Sequence, residues 1–165
     1  MSSAHPLQSC RKLLENAKRR TRDAETVFKD YQGIGNVCTP VIEKHGETDI
    51  AVFKLRFSHP IPDDLIFAVR DAFRDLRDCL DHACYACASA AANGQQFTNG
   101  THFPFAKLKA EIDGARKRGS RRIPDEILEI ALSYKPCSDE DGNKLLYAIN
   151  NVRNTETHRL LQQYG

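Results

Sequence analysis

Apolar residues recur at helical spacing over two long segments of the chain. From Leu7 to about Tyr31 they return mostly at steps of three and four, and Gly33 follows as a stop signal. A second and stronger stripe begins after Asp63, a candidate helix cap, and fades at Asn93. The pattern predicts two long amphipathic helices. The second stripe consists of Leu65, Ile66, Val69, Phe73, Leu76, Leu80, Ala83, Cys84 and Cys87.

Between these helices the spacing changes to the alternation that is typical of strands. Val37–Lys44 contains Pro40, which suits an edge strand, and Thr48–Phe57 alternates apolar with polar residues. The two segments predict a β-hairpin inserted at about 37–57. Because an isolated hairpin is marginal in water, its apolar residues should pack on the helices or on a partner's sheet. These residues are Phe53, Leu55 and Phe57.

The last third of the chain predicts three further helices. The first runs from Phe103 to about Lys117, the second from Pro124 to about Ser133, and the last from about Asp141 to Gln163. The predicted fold is mainly α, a single helical-bundle domain over residues 1–165 with the inserted β-hairpin. One stripe of the last helix contains Leu145, Ile149, Val152, Glu156 and Leu160.

The sequence also predicts the cellular compartment of the protein. No apolar run approaches the roughly 18 residues that a membrane span needs, and the segment that begins with Met1 has no apolar core of a secretory signal. The sequence therefore predicts a cytoplasmic protein with no membrane partner. In that compartment the six cysteines are expected to be free thiols.

Basic residues are clustered although the net charge is only +2. One cluster lies at Lys18–Arg22, and a second at Arg116–Arg122. Such clusters can meet phosphates even when the net charge is near zero, so Arg116, Arg118 and Arg121 are candidate substrate-binding residues. The alternative interpretation is a solvated helix face and a solvated loop.

Polar residues interrupt the apolar stripes of two predicted helices, the one that begins after Asp63 and the last one. Glu156 falls inside the stripe of the last helix and Arg153, at its edge, is placed to pair with it. The second helix carries a similar string, with Arg77 at the edge of its stripe and His82 away from it. These residues predict a polar cluster between the two helices, with Glu156 and Asp81 as structural members.

Arg153-Asn154-x-x-x-His158 resembles the motif of HEPN domains, which are helical bundles of prokaryotic defence and toxin–antitoxin systems. The resemblance implies a metal-independent, dimeric endoribonuclease with no cofactor, RNA as substrate and a protein partner such as an antitoxin. It makes His158 the acid or base, Arg153 the phosphate clamp and Asn154 an orienting group. Arg159 is a further candidate for binding phosphate. The string that contains Arg77 and His82 competes for the same catalytic role.

A looser likeness covers most of residues 60–161. Leu76-Arg77-x-x-Leu80-Asp81-His82, followed by Asn150-Asn151 and Thr157–Leu161, is similar to a group of bacterial helical proteins of undetermined activity. This second resemblance implies a shared fold and no particular reaction.

Two alternatives accompany the nuclease hypothesis. His82, Cys84 and Cys87 suggest zinc, but a structural zinc site needs four ligands and the cysteines fit the apolar stripe, so no metal is predicted. The other alternative is a non-catalytic helical interaction or regulatory module. In that case Arg77 neutralises Glu156 across the bundle, and His82 and His158 are surface or internally satisfied side chains.

Overall fold

The structure is a computed structural model that describes residues 5–44 and 51–152. It confirms a mainly helical fold with an inserted two-stranded antiparallel hairpin. A 3₁₀ turn at Lys109–Glu111 precedes the third helix, and residues 144–152, here α5, are helical. The other elements are α1 (Gln8–Gly33), β1 (Cys38–Lys44), β2 (Ala51–Phe57), α2 (Asp63–Ala91), α3 (Ile112–Gly119) and α4 (Asp125–Ser133).

The contacts between Cα atoms divide the chain into two compact units. Arg19–Val69 forms one of them, and the segments on either side of it form the other. Helices α1 and α2 each contribute residues to both units. The single domain over residues 1–165 therefore stays a prediction.

The core of the flanking unit joins α2 and α4 through a buried loop segment. Cys84 comes from α2, Leu128 and Ala131 come from α4, and Phe103 and Ile123 come from the connecting segments. Each of these residues is at most 7% exposed. Four partly buried residues pack against this cluster and extend it: Leu80, Phe105, Ile127 and Leu132.

The predicted third helix does not begin at Phe103. The backbone N–H of Phe103 donates to the Asp81 carboxylate at 2.7 Å, and that of Ala106 donates to the carbonyl of Pro136 at 3.1 Å. Pro104 has no N–H to donate and is fully buried. Because these backbone groups bond to other segments, they leave none for helical bonds, and α3 begins only at Ile112.

The last helix begins three residues later than predicted, at residue 144. The side-chain oxygen of Asn143 accepts the backbone N–H of Leu146 at 3.1 Å, which is the bond of a helix N-cap. Ile149 is buried at 5% exposure, whereas Leu145 is 66% exposed, so the prediction that Leu145 belongs to the core-facing stripe is wrong. The predicted end at Gln163 lies outside the described residues.

One face of the hairpin is mainly apolar. Directly opposed residues share a face of an antiparallel pair, and three successive such pairs are apolar. Phe53 is 76% exposed and Leu55 is 64% exposed, so the prediction that they pack on the helices is wrong. Packing on a partner's sheet stays a prediction. The face consists of Cys38 opposite Phe57, Pro40 opposite Leu55, and Ile42 opposite Phe53.

Candidate functional site

A buried ion pair lies at the centre of the candidate site. Arg77 and Asp81 are one helical turn apart on α2, and the Nη1 atom of Arg77 pairs with Oδ1 of Asp81. The arginine side chain is only 8% exposed. Its Nε donates to Oδ1 of Asn150 on α5 at 3.2 Å, and its guanidinium lies 4.4 Å from the ring centre of Phe105. Nη1 meets Asp81 as an ion pair without the geometry of a hydrogen bond, so the contacts of Nε and of the guanidinium plane supply the remaining compensation for burying the charge.

Asp81 also fixes the loop that follows α2. Its Oδ1 accepts the backbone N–H of Phe103, and its Oδ2 lies 3.4 Å from Nδ1 of His102. The carboxylate is therefore shared between Arg77 on its own helix and two consecutive residues of the loop. This arrangement orients the His102 ring, of which 60% is exposed.

Arg77 lies deeper than the helical projection placed it. The sequence put it at the edge of the apolar stripe, with Glu156 as the partner in one interpretation. In the structure it is buried at 7% exposure and pairs with Asp81. Its guanidinium faces Asp81, Asn150 and Phe105, so it is held by internal contacts rather than presented to a phosphate.

A cavity of about 740 Å³ opens beside this ion pair. Both histidines of the region, His82 and His102, line it, together with the carboxylates of Asp78 and Asp81. His82 is exposed, as the projection of α2 predicts. The cavity thus combines two imidazole rings with two carboxylates.

A second, smaller cleft of about 270 Å³ lies on the α5 side of Phe105. Lys107 and Arg118 supply positive charge to it, and Asn150 and Asn151 supply side-chain amides. Asn150 therefore both holds Arg77 and lines the cleft. The cleft brings one predicted substrate-binding residue, Arg118, to the helix that leads into the Arg153–His158 motif.

The other basic residues of the cluster have different surroundings. Arg116 forms an ion pair with Asp125 at the start of α4. Arg121 donates from Nη2 to the side-chain oxygen of Asn99 at 2.9 Å. The guanidinium of Arg122 lies 4.9 Å from the ring centre of Phe97, which lines the larger cavity. Of this cluster, Arg118 lines the smaller cleft and Arg122 contacts a residue of the larger cavity, whereas Arg116 and Arg121 line neither opening.

Two backbone bonds hold the basic loop against the segment that carries His102. The N–H of Arg122 donates to the carbonyl of Gly100 at 2.9 Å, and the N–H of His102 donates to that of Gly119 at 2.8 Å. Gly100 has φ +80°, and a Cβ there would lie 3.1 Å from Cγ of both Arg121 and Arg122. The close approach of the two segments therefore requires glycine.

The cysteines are buried or half-buried. All six are free thiols, as predicted. Burial, and then the charge of Asp81, raise the pKa of Cys84 to about 12, and burial also raises the pKa of Cys79 and Cys87. A protonated thiol is a poor metal ligand. Among residues 5–44 and 51–152, no group of three or more histidine, cysteine or carboxylate side chains is arranged to hold a metal ion.

The motif itself lies outside the described residues, as do all its predicted companions on the last helix. The residues concerned are Arg153, Asn154, Glu156, His158 and Arg159. Sequence reasoning overlooked His102 and Asn150, which the structure places against Asp81 and Arg77. Asn150 had a signal, since it belongs to the second resemblance. His102 follows a glycine-containing loop and has no periodicity that marks it.

Comparisons with known proteins identify no relative. No family model matches the chain, and neither a curated protein nor a solved structure matches it significantly. The HEPN likeness therefore stays a prediction from the motif. In the part of the chain that the structure describes, no helix is both long and apolar enough to cross a membrane.

Proposed function

We propose that the protein binds RNA and cleaves it without a metal ion, as an endoribonuclease of HEPN type. The observation that carries this proposal is the smaller cleft, which Arg118, Lys107, Asn150 and Asn151 line. Glu111 lines it too, but its carboxylate is engaged by the backbone N–H groups of Lys107 and Leu108. Positive charge beside amide groups suits a phosphodiester, because arginine and lysine pair with phosphate oxygens and amides complete the hydrogen bonds. Asn150 and Asn151 directly precede the Arg153–His158 motif in the sequence.

The proposed chemistry uses the 2′-hydroxyl of RNA as the nucleophile. The 2′-oxygen attacks the adjacent phosphorus and the bond from phosphorus to the 5′-oxygen breaks, which gives a 2′,3′-cyclic phosphate and a 5′-hydroxyl. His158 takes the proton of the 2′-hydroxyl or gives one to the departing 5′-oxygen, water carries out the other proton transfer, and Arg153 holds the phosphate charge that develops. Asn154 orients one of these groups. Arg118 and Lys107 bind the backbone next to the scissile bond, and Arg159 adds a further phosphate contact. This assignment leaves Arg77 with the task of positioning Asn150.

We also propose a cytoplasmic homodimer acting in a defence or toxin–antitoxin system, with a protein partner such as an antitoxin. Six free thiols support a reducing compartment. The apolar face of the hairpin supports self-association, because large exposed apolar patches commonly mark protein contacts. A second copy that places the same face against it would cover Phe53 and Leu55 in both chains.

The second candidate function is a non-catalytic interaction or regulatory module. The observation in its favour is the burial of Arg77, whose contacts with Asp81, Asn150 and Phe105 are those of a packing element. In that case the cluster specifies the fold. The two candidates differ at His158, which is essential for a nuclease and dispensable for such a module.

The test is an RNA cleavage assay in EDTA with the full chain. We expect Arg153→Ala and His158→Ala to abolish cleavage, and Arg118→Ala to weaken RNA binding. Lys117→Ala is the matched control, since Lys117 is its exposed neighbour on α3 and does not line the cleft. Cleavage that is equal in the wild type and both motif variants would remove the assignment, and RNA binding without cleavage would favour the module.

A further inference from the structure

The geometry points to a base-recognition site in the larger cavity, which takes an unpaired guanine of the RNA. This inference rests on the proposed function, because it names the element of the RNA that this protein selects. The cavity is separate from the cleft assigned to the backbone, since the two have no lining residue in common. Its volume of about 740 Å³ lies within the range of roughly 300–1,000 Å³ that is usual for small-molecule sites.

Stacking surfaces line part of the cavity wall. Phe97 and Tyr85 both line it, and the guanidinium of Arg122 lies 4.9 Å from the Phe97 ring centre. Proteins that read single-stranded RNA place unstacked bases on such aromatic rings and on arginine planes. Arg122 supports this ring and is not itself a lining residue of the cavity.

The polar groups of the cavity favour one base over the others. Asp78 lies in the cavity wall and has no ion pair or hydrogen bond with another described residue. Asp81 is occupied by Arg77 and the N–H of Phe103. A free carboxylate accepts two hydrogen bonds side by side, and guanine is the RNA base whose Watson–Crick edge presents two adjacent N–H donors.

The two histidines complete the complementarity to a nucleotide. His82 and His102 line the same cavity as Asp78, and Asp81 holds the ring of His102 at 3.4 Å. An imidazole can donate to the ribose or phosphate oxygens of the nucleotide. The carboxylate of Asp78 thus binds the base, while His82 and His102 bind the sugar and phosphate.

Isothermal titration calorimetry with the four ribonucleoside 5′-monophosphates tests the inference on the full chain. We expect guanosine monophosphate to bind about tenfold tighter than uridine monophosphate, since one bidentate base contact discriminates by about that factor or more. Inosine monophosphate lacks the exocyclic amine of guanine and should lose most of this preference. That comparison uses the wild-type protein and needs no variant.

Two variants separate the two parts of the site. Asp78→Asn should remove the preference for guanine. Phe97→Ala should lower the binding affinity for all four nucleotides by a similar factor of about ten. Glu126→Gln and Tyr134→Ala are the matched controls, because both residues are exposed at α4 and do not line the cavity.

The outcomes distinguish this inference from the nuclease proposal. Equal affinity for all four nucleotides, no binding, or unchanged guanine preference in Asp78→Asn would overturn the guanine site, even if the protein cleaves RNA. Selective binding of guanosine monophosphate without any RNA cleavage would sustain the site and remove the nuclease assignment.

Discussion

Arg77 on α2 donates from Nε to the side-chain oxygen of Asn150 on α5, over a separation of 73 residues in the sequence. The same guanidinium pairs with Asp81 one turn further along α2. Asp81 in turn holds the N–H of Phe103 and faces His102. Three separate segments of the chain thus meet at one carboxylate and one guanidinium, and both openings described above adjoin this meeting point.

Removing the carboxylate should cost much of the stability. Asp81→Ala leaves the buried Arg77 without its counter-charge and frees the N–H of Phe103. Breaking a buried pair in this way typically costs about 3–5 kcal/mol, which urea unfolding should reveal as a lower midpoint. The double variant Arg77→Met/Asp81→Leu should recover part of the loss, because no unpaired charge remains.

Glu129→Ala serves as the control for this series, since Glu129 is an exposed acid on α4. It should change the free energy of unfolding by less than about 0.5 kcal/mol. A loss of the same small size in Asp81→Ala would show that the ion pair does not hold the segments together.

The stability of the protein should decline at alkaline pH through Cys84. Burial raises the pKa of this thiol from 9.0 to about 12, with a further contribution from the charge of Asp81. Because the folded-state pKa is raised, this stability is fully present below about pH 9 and is lost as the pH rises towards 12. In that interval the Cys84 thiol ionises in the unfolded chain before it does in the folded protein, which shifts the equilibrium towards the unfolded state.

Urea unfolding at pH 8 and at several values above 9 measures this effect. In the wild type one such thiol lowers the free energy of unfolding by at most about 1.4 kcal/mol per pH unit. Cys84→Ala should reduce that slope but not abolish it, since Cys79 and Cys87 also have raised pKa values. An identical slope in the wild type and in Cys84→Ala would contradict the assignment.

The hairpin face predicts self-association. Phe53→Glu places a charge on the apolar face, at its most exposed residue, and should convert a dimer into a monomer, as measured by size-exclusion chromatography with light scattering. Thr39→Glu adds the same charge on the opposite face of β1, where its cross-strand neighbour is Arg56, and should leave the dimer intact. A wild-type protein that is monomeric at all concentrations would show that a second copy does not cover this face.

The hydrophobic pattern predicted the elements well where one face of a helix or strand meets apolar neighbours. The long helices, α4 and the hairpin follow from periods of 3.6 and 2. The pattern did not predict the loop around Phe103, whose apolar residues are buried without a helix because Asp81 and Pro136 bind its backbone. Such bonds depend on the tertiary structure and leave no periodic trace.

The candidate site was predictable only in part for a related reason. A helical projection gives only the positions of Arg77 and His82 relative to the apolar stripe of their own helix. It therefore could not predict that Arg77 is buried. That burial depends on Asn150 and Phe105, which approach from distant parts of the sequence. His102 can be identified as a residue of the site only from the structure, which places it beside Asp81.

Asn150 and Asn151 allow the structural and the RNA-binding roles of the smaller cleft to be separated. Both line it, but only Asn150 accepts a hydrogen bond from Arg77. Asn150→Ala should therefore lower the free energy of unfolding by about 1.5–3 kcal/mol, the usual worth of a hydrogen bond to a charged group. Asn151→Ala should leave stability within about 0.5 kcal/mol, because Asn151 is exposed. If the cleft binds RNA, Asn151→Ala should nevertheless weaken RNA binding in a filter-binding titration, whereas full RNA affinity in this variant would assign the cleft to packing alone.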